Sequence, residues 1–329
     1  MTVLVTGGAG YIGSHMVYAL LARGERVVVL DNLSTGFDWA IPAGVQLIAG
    51  NVGDQGLVSS AIAAHKIEAI VHFAASISVA ESVADPLAYY RNNTVNTRNL
   101  IECAISAGVR HFVFSSTAAV YGHPGKVRID ESAPTGPISP YGWSKLMTEI
   151  MLRDASLSHD LRHVILRYFN AAGADPELRT GQSTDNATHL IKIAVQTALG
   201  LRPNMQVFGT DYDTPDGTCI RDYIHVTDLT DAHIAALAYL RSGHQSMTLN
   251  CGYGRGASVL EVIDAVKRVS GADFRVDRVG RRAGDPPQLI SDSTRIRATL
   301  DWQPRFDDLS TIVSHALAWE RKLVQLKGR

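Results

Sequence analysis

The chain has 329 residues, 46% hydrophobic and 19% charged, with a formal net charge of −1. That is enough apolar material for one large or two moderate cores, and without a dense Lys/Arg run neither nucleic acid nor an anionic membrane is an expected partner. No apolar run approaches the roughly 18 residues of a membrane span, and Cys103, Cys219 and Cys251 lack the number and spacing of a disulfide framework or a metal-ligand set. A small-molecule partner, no metal ion and a reducing, cytoplasmic setting are expected. No charged segment with a long apolar stretch opens the chain, so no signal peptide is expected.

Short Val/Ile-rich runs at 2–6, 26–30, 45–49, 69–73, 111–115 and 163–168 predict six strands, with helices between them at 11–23, 57–65, 93–107 and 141–153. Strands alternating with helices build a parallel sheet, and runs this continuously apolar imply burial on both faces. The expected fold is therefore α/β, a doubly wound parallel Rossmann sheet. Beyond about Asn170, Gly/Asp/Pro-rich loops are interrupted by helices at 187–199, 228–241, 258–269 and 309–326. This pattern predicts a smaller, loop-rich α/β domain of the kind that carries specificity on a rigid scaffold.

The first strand runs directly into Gly7-Gly8-Ala9-Gly10-Tyr11-Ile12-Gly13. Gly8, Gly10 and Gly13 fit the Gly-x-Gly-x-x-Gly fingerprint, which permits a tight turn, close backbone approach to a pyrophosphate and close helix packing. Asp31 ends the second strand 18 residues after Gly13, where a carboxylate binds the adenosine ribose hydroxyls and repels a 2′-phosphate. Asn32 and Leu33 follow, with no arginine, which favours NAD over NADP.

At the fifth strand's carboxyl end, Ser115-Ser116-Thr117 brings hydroxyls to the edge where open α/β sheets bind ligands. Ser139 and Pro140 signal the start of a helix, so Tyr141 and Lys145 fall on one face of its first turns. A phenol has an ordinary pKa of about 10, and a fixed ammonium beside it favours the phenolate. Taken alone, Thr117 reads as a strand-end cap; with Tyr141 and Lys145 it reads as a hydrogen-bond donor to a reacting oxygen.

Through the glycine motif, Ser115-Ser116-Thr117 and Tyr141 to Lys145, the chain resembles the extended short-chain dehydrogenase/reductase family. Within that family it is similar to the UDP-glucose (UDP-galactose) 4-epimerases, over essentially its whole length. Stretches specific to that branch are 7–15, Glu81-Ser82, Leu166-Arg167-Tyr168-Phe169-Asn170, 208–212, 221–226 and Arg282-Ala283-Gly284-Asp285.

The resemblance implies that Tyr141, as phenolate, takes the proton of the sugar 4′-hydroxyl while the C4 hydride passes to bound NAD. The 4-keto sugar then turns over and is reduced on its other face. Implied cofactor contacts are Gly7, Gly10, Tyr11, Ile12, Gly13 and Asp31, with Asn32, Asn51 and Val52. Further ones are Phe73, Ala74, Ala75, Asn92, Ser115, Tyr141, Lys145 and Tyr168. Implied substrate contacts are Thr117, Asn170, His189, Leu190 and Val207, with Phe208 facing uracil. Asp285 and Leu289 join them, and Arg221 and Arg282 neutralise the diphosphate. The implied division is an NAD-binding domain over 1–169, with parts of 217–250 packed onto it, and a UDP-sugar domain over 170–329. The resemblance also implies a homodimer pairing the helices near 93–107 and 141–153.

Four positions depart from the best-known members. Thr117 replaces a common serine, keeping the hydroxyl but restricting its rotamer. Asn51 replaces an aspartate near the adenine, and Ile77 a lysine at the pyrophosphate, so weaker NAD retention is expected. Leu289 replaces a tyrosine that narrows the pocket, so tolerance of N-acetylated UDP-hexosamines is expected. A related 4,6-dehydratase would carry an acid after the strand-end threonine, where this chain has Ala118. A non-catalytic NAD sensor would not need Tyr141 with Lys145.

Overall fold

The computed structural model describes residues 1–125, 128–185, 187–282 and 284–327. Ala283, within the 282–285 stretch, lies outside the described residues. A parallel sheet forms the centre. Its strands in chain order are β1 (Thr2–Thr6), β2 (Arg26–Asp31), β3 (Gln46–Ala49), β4 (Ala69–His72), β5 (His111–Thr117), β6 (Arg162–Tyr168) and β7 (Met247–Cys251). They lie side by side as β7-β6-β5-β4-β1-β2-β3, every neighbouring pair parallel.

Successive strand residues go to opposite faces, and both faces are apolar. Val3, Val5, Val29, Val71 and Val113 pack on one side with Met16, Val17 and Leu20 of α1 (Tyr11–Leu21), whereas Leu4, Leu30, Ile70 and Phe112 pack on the other. On that second side lie Val58 and Ile62 of α2 (Gln55–His65) and Leu100 and Ala104 of α3 (Asn96–Ser106). Burial on both faces is what the unbroken Val/Ile runs require.

The sheet has seven strands, not six. The seventh, Met-Thr-Leu-Asn-Cys, comes from the second half and carries polar Thr248 and Asn250, so it has no run of apolar residues to mark it. Asn250 is nonetheless fully buried, because its side chain donates to the Ile129 carbonyl and accepts from the Tyr121 hydroxyl at 2.7 Å each. The predicted 93–107 helix also differs: a π-helical turn, Tyr90–Val95, precedes α3. The helix expected at 141–153 is α4 (Pro140–Ser158), with Ser139 accepting from the Gly142 amide at 3.2 Å as its N-cap.

The second half builds small sheets at the carboxyl edge. Asn170–Ala172 pairs with Tyr223–His225, and Met205–Phe208 with Val276–Val279. A four-stranded sheet joins Ile220–Arg221 and Gln288–Ser291 with Ala257–Ser258 and, from the first half, Arg128–Ile129. Helix α5 (Val226–Arg241) packs on β5, β6 and α1. Among the described residues no helix is long and apolar enough to cross a membrane.

Candidate active site

Gly7 takes a left-handed conformation, φ +71°, and a Cβ there would lie 2.6 Å from the Ala74 amide nitrogen. A Cβ on Gly13 would lie 2.0 Å from the Gly7 carbonyl oxygen. These two glycines let the turn close and α1 start against it, whereas Gly8 only makes room for Val29. The first turn of α1 has no side-chain cap and no acid, so its amides and positive dipole end stand open to an anion. Tyr11 donates to the Gly173 carbonyl at 2.7 Å, tying the turn to the second half, and Ile12 packs on the core.

Asp31 is buried, one carboxylate oxygen accepting from the Ala9 amide at 2.9 Å and the other from the Leu33 amide at 2.8 Å. Two fixed amides aim the carboxylate across the glycine turn. Asn32 accepts from the Ser34 amide and Asn51 from the Gly53 amide, each shaping its own short turn, while Val52 is buried. The cradle, the uncapped helix end and the strand-end acid together fit a dinucleotide.

Thr117 ends β5 directly opposite Tyr168 on β6. Its Oγ1 accepts from the Ala119 amide at 3.1 Å, and the same hydroxyl works to hold the Tyr141 phenol down, so capping and site chemistry are served by one group. Tyr141 and Lys145 are both buried on α4. Burial pushes the Tyr141 phenol above its ordinary value, Tyr168 adds to this, and the Thr117 hydroxyl opposes it. Lys145 donates to the Ser115 carbonyl at 3.0 Å, and burial pulls its pKa down to about 7, with the Glu149 carboxylate opposing. The two residues share a face of α4, and the ammonium rests on the end of β5.

Of the surrounding polar groups only Asn92 was expected from sequence; His72 and Asn93 were not. His72 bridges Thr6 at 2.6 Å and Thr97 at 2.8 Å, and burial and the Lys145 charge pull it down to about 3, so it is neutral. Asn93 is presented by the π-helical turn: it accepts from the Ser76 amide and donates to Ser144, which itself donates to the Tyr141 carbonyl at 2.7 Å. Asn92 donates to the Ser76 hydroxyl at 2.9 Å. π-turns often sit at functional sites. Phe73 and Ala74 line the back of Gly7, and Ala75 follows them in the loop after β4.

The second half brings Asn170, His189 and Leu190 to one pocket beside Gly173 and Tyr223. His189 caps the helix Leu190–Ala198; its Nδ1 pairs with Gln182 at 2.8 Å, and burial and Lys192 lower its pKa. A neutral imidazole is left with Nε2 for a ligand. Arg282 lies over the Phe208 ring at 4.4 Å. Asp285 pairs with Arg221 at 3.6 Å and with Arg282 at 3.7 Å, so all four of these residues meet. Leu289 sits opposite Arg221 in the small sheet and packs against the cluster that includes Ala118, Tyr121, Leu146 and Phe169, whose Ala118 follows Thr117 in the chain. Val207 is fully buried in the main core, which leaves only its backbone for a ligand.

A doubly wound sheet with an open glycine turn at one strand end and Thr, Tyr and Lys at another defines a nucleotide-dependent enzyme of the short-chain dehydrogenase/reductase class. Residues 3–252 match the model of the NAD dependent epimerase/dehydratase family, and the chain belongs to that family. It is 58% identical over 327 residues to a UDP-glucose 4-epimerase of Azospirillum brasilense, covering 99% of this chain and 94% of the relative. The structure of UDP-glucose 4-epimerase from Brucella ovis in complex with NAD superimposes with a TM-score of 0.94 at 42% identity, covering 96% of this chain and 97% of that one. That of UDP-glucose-4-epimerase from Stenotrophomonas maltophila, with bound NAD and formylated UDP-arabinopyranose, gives 0.96 at 38% identity, covering 99% of each chain.

Proposed function

We propose that the chain catalyses the reversible C4 epimerisation of UDP-glucose and UDP-galactose through a transient 4-keto sugar, with NAD as its cofactor. NAD, when bound, accepts the hydride from C4 and returns it to the opposite face. The observation that carries the reading is the gathering of Thr117 at the carboxyl end of β5 with buried Tyr141 and Lys145 on α4, Lys145 donating to the Ser115 carbonyl on that same strand end at 3.0 Å.

Tyr141 takes the 4′-hydroxyl proton and later returns it, while Thr117 donates to the same oxygen and holds it in line. Both must serve either epimer, so the proton site stays fixed while the ketone turns. Burial alone makes Tyr141 a reluctant phenolate, so the positive charge of a bound nicotinamide, together with Lys145 as ammonium, is needed to bring it into the working range. Arg221 and Arg282 would exchange Asp285 for the diphosphate, Phe208 would stack on uracil, and Asn170, His189 and Leu190 would line the sugar-nucleotide pocket. Residues 1–169, with parts of 217–250, would hold NAD and residues 170–329 the UDP-sugar.

Ile77 is 55% exposed and carries no charge, and Asn51 lacks the aspartate charge, so NAD exchanges with solvent more readily than in members carrying lysine and aspartate there. Trp143, Met147 and Ile150 form an exposed apolar stripe on α4, and Val95 stands exposed beside α3. Such a stripe supports a homodimer through these helices, and the scattered buried thiols support a cytoplasmic setting. An assay with UDP-galactose, UDP-GalNAc and UDP-arabinose without added NAD tests substrate and cofactor retention together. Conversion of UDP-galactose that disappears in Tyr141→Phe is expected; no conversion of any of the three, even with NAD added, would refute the reading.

A further inference from the structure

Glu149 continues the stripe of Tyr141 and Lys145 one turn further along α4, and it is buried. Ser116 donates to its Oε1 at 2.5 Å. Arg167 donates from Nε to Oε1 at 3.0 Å and from Nη2 to Oε2 at 2.6 Å. The network runs on from Arg167 to the Tyr121 hydroxyl at 3.0 Å, and from there to Asn250. No step of the reaction uses these groups. A buried ion pair is also weak as a stabiliser, since well-packed apolar residues often fill the same space at no loss.

Its location gives it a task. Ser116, the residue Glu149 grips, lies between Ser115, whose carbonyl carries Lys145, and Thr117, whose hydroxyl works to hold the Tyr141 phenol down. The groups that act on Lys145 are Glu149 on its own helix, His72 on β4, and Phe114 and Ser115 on β5, with Arg167 of β6 beyond Glu149. Phe114 presents its ring 4.9 Å from Nζ, His72 is neutral, and Arg167 is spent on Glu149.

We propose that Glu149 is a positioning residue for Lys145: through Ser116 it fixes the strand end on which the ammonium rests, and it sets a buried carboxylate one turn along α4 from that ammonium. The inference rests on Tyr141 and Lys145 being the proton-transfer pair. It agrees with Glu149 being the one charge that raises the Lys145 pKa against burial.

Glu149→Gln keeps an acceptor for Ser116 and removes the charge. The pH profile of kcat for UDP-galactose should lose its alkaline limb about one pH unit or more earlier, while KM stays within about twofold because no substrate contact is altered. Glu149→Asp should recover part of the shift. Glu149→Gln combined with Arg167→Gln, which leaves no unpaired charge, should keep the lowered limb and decides the matter if the single variant does not fold. Ser116→Ala should lower kcat without moving the limb. A wild-type limb in folded Glu149→Gln would overturn the proposal. So would its return in the double variant, because the unpaired Arg167 would then be the cause. A wild-type protein inactive on every UDP-sugar would instead defeat the functional reading itself.

Discussion

At the scale of single residues the site works through groups that burial has moved away from their solution behaviour. Lys145 is pulled down to about 7, so its ammonium is lost as pH rises through that value, whereas the Tyr141 phenolate gains as pH rises. The two trends oppose each other, and kcat should follow a bell whose alkaline limb belongs to Lys145. Thr117→Ser should stay within a few-fold of wild type, because the hydroxyl remains. Thr117→Val should lose roughly 10–100-fold in kcat, the worth of a hydrogen bond to a charged oxygen; steady-state rates on UDP-galactose check both. Leu289→Tyr adds bulk beside Phe169 and Tyr121, and should remove turnover of UDP-GalNAc while retaining UDP-galactose. Equal rejection of UDP-GalNAc by both proteins would refute that role for Leu289.

At the scale of elements, strand ends and helix starts carry the site. Gly7→Ala would combine a strained φ with a Cβ pressed on the Ala74 backbone. It should abolish NAD retention, read as nucleotide released on denaturing the purified protein. The glycine turn, Asp31 and the start of α4 were legible in the sequence because each depends on neighbours a few residues away. The π-helical turn at Tyr90–Val95 was not, because its reward is tertiary: it directs Asn93 to Ser76 and Ser144 across the site. Strand β7 was hidden for the same reason, since Asn250 becomes a strand residue only when Tyr121 and Ile129 satisfy it.

At the scale of the whole molecule, burial makes several histidines a liability in acid. His15, His163 and His233 are lowered to about 4 and His72 and His225 to about 3, against an ordinary value of 6.5. Between those values the unfolded chain binds more protons than the folded one, so stability is complete above about pH 6.5 and falls as pH drops. Each histidine contributes up to about 1.4 kcal/mol per pH unit. The melting temperature should therefore decline steadily from pH 6.5 to pH 4.5, and less steeply in a His163→Gln variant. The apolar stripe of α4 leads to another whole-molecule expectation: Trp143→Glu should convert a dimer to monomers in sedimentation velocity, while a wild-type monomer would refute the homodimer.

What the sequence by itself determined is the part of the protein written in short-range spacing. The Val/Ile runs required a sheet buried on both faces, Gly7 to Gly13 required a turn open to an anion, and the four-residue spacing from Tyr141 to Lys145 required a shared helical face. Tertiary structure alone decided how those groups are tuned. It set Lys145 on the Ser115 carbonyl, joined Arg167 to Glu149, neutralised His72 and raised the Tyr141 phenol. The physical reason is that spacing dictates where a side chain points, whereas its charge state depends on desolvation and on partners that come near only when distant segments pack.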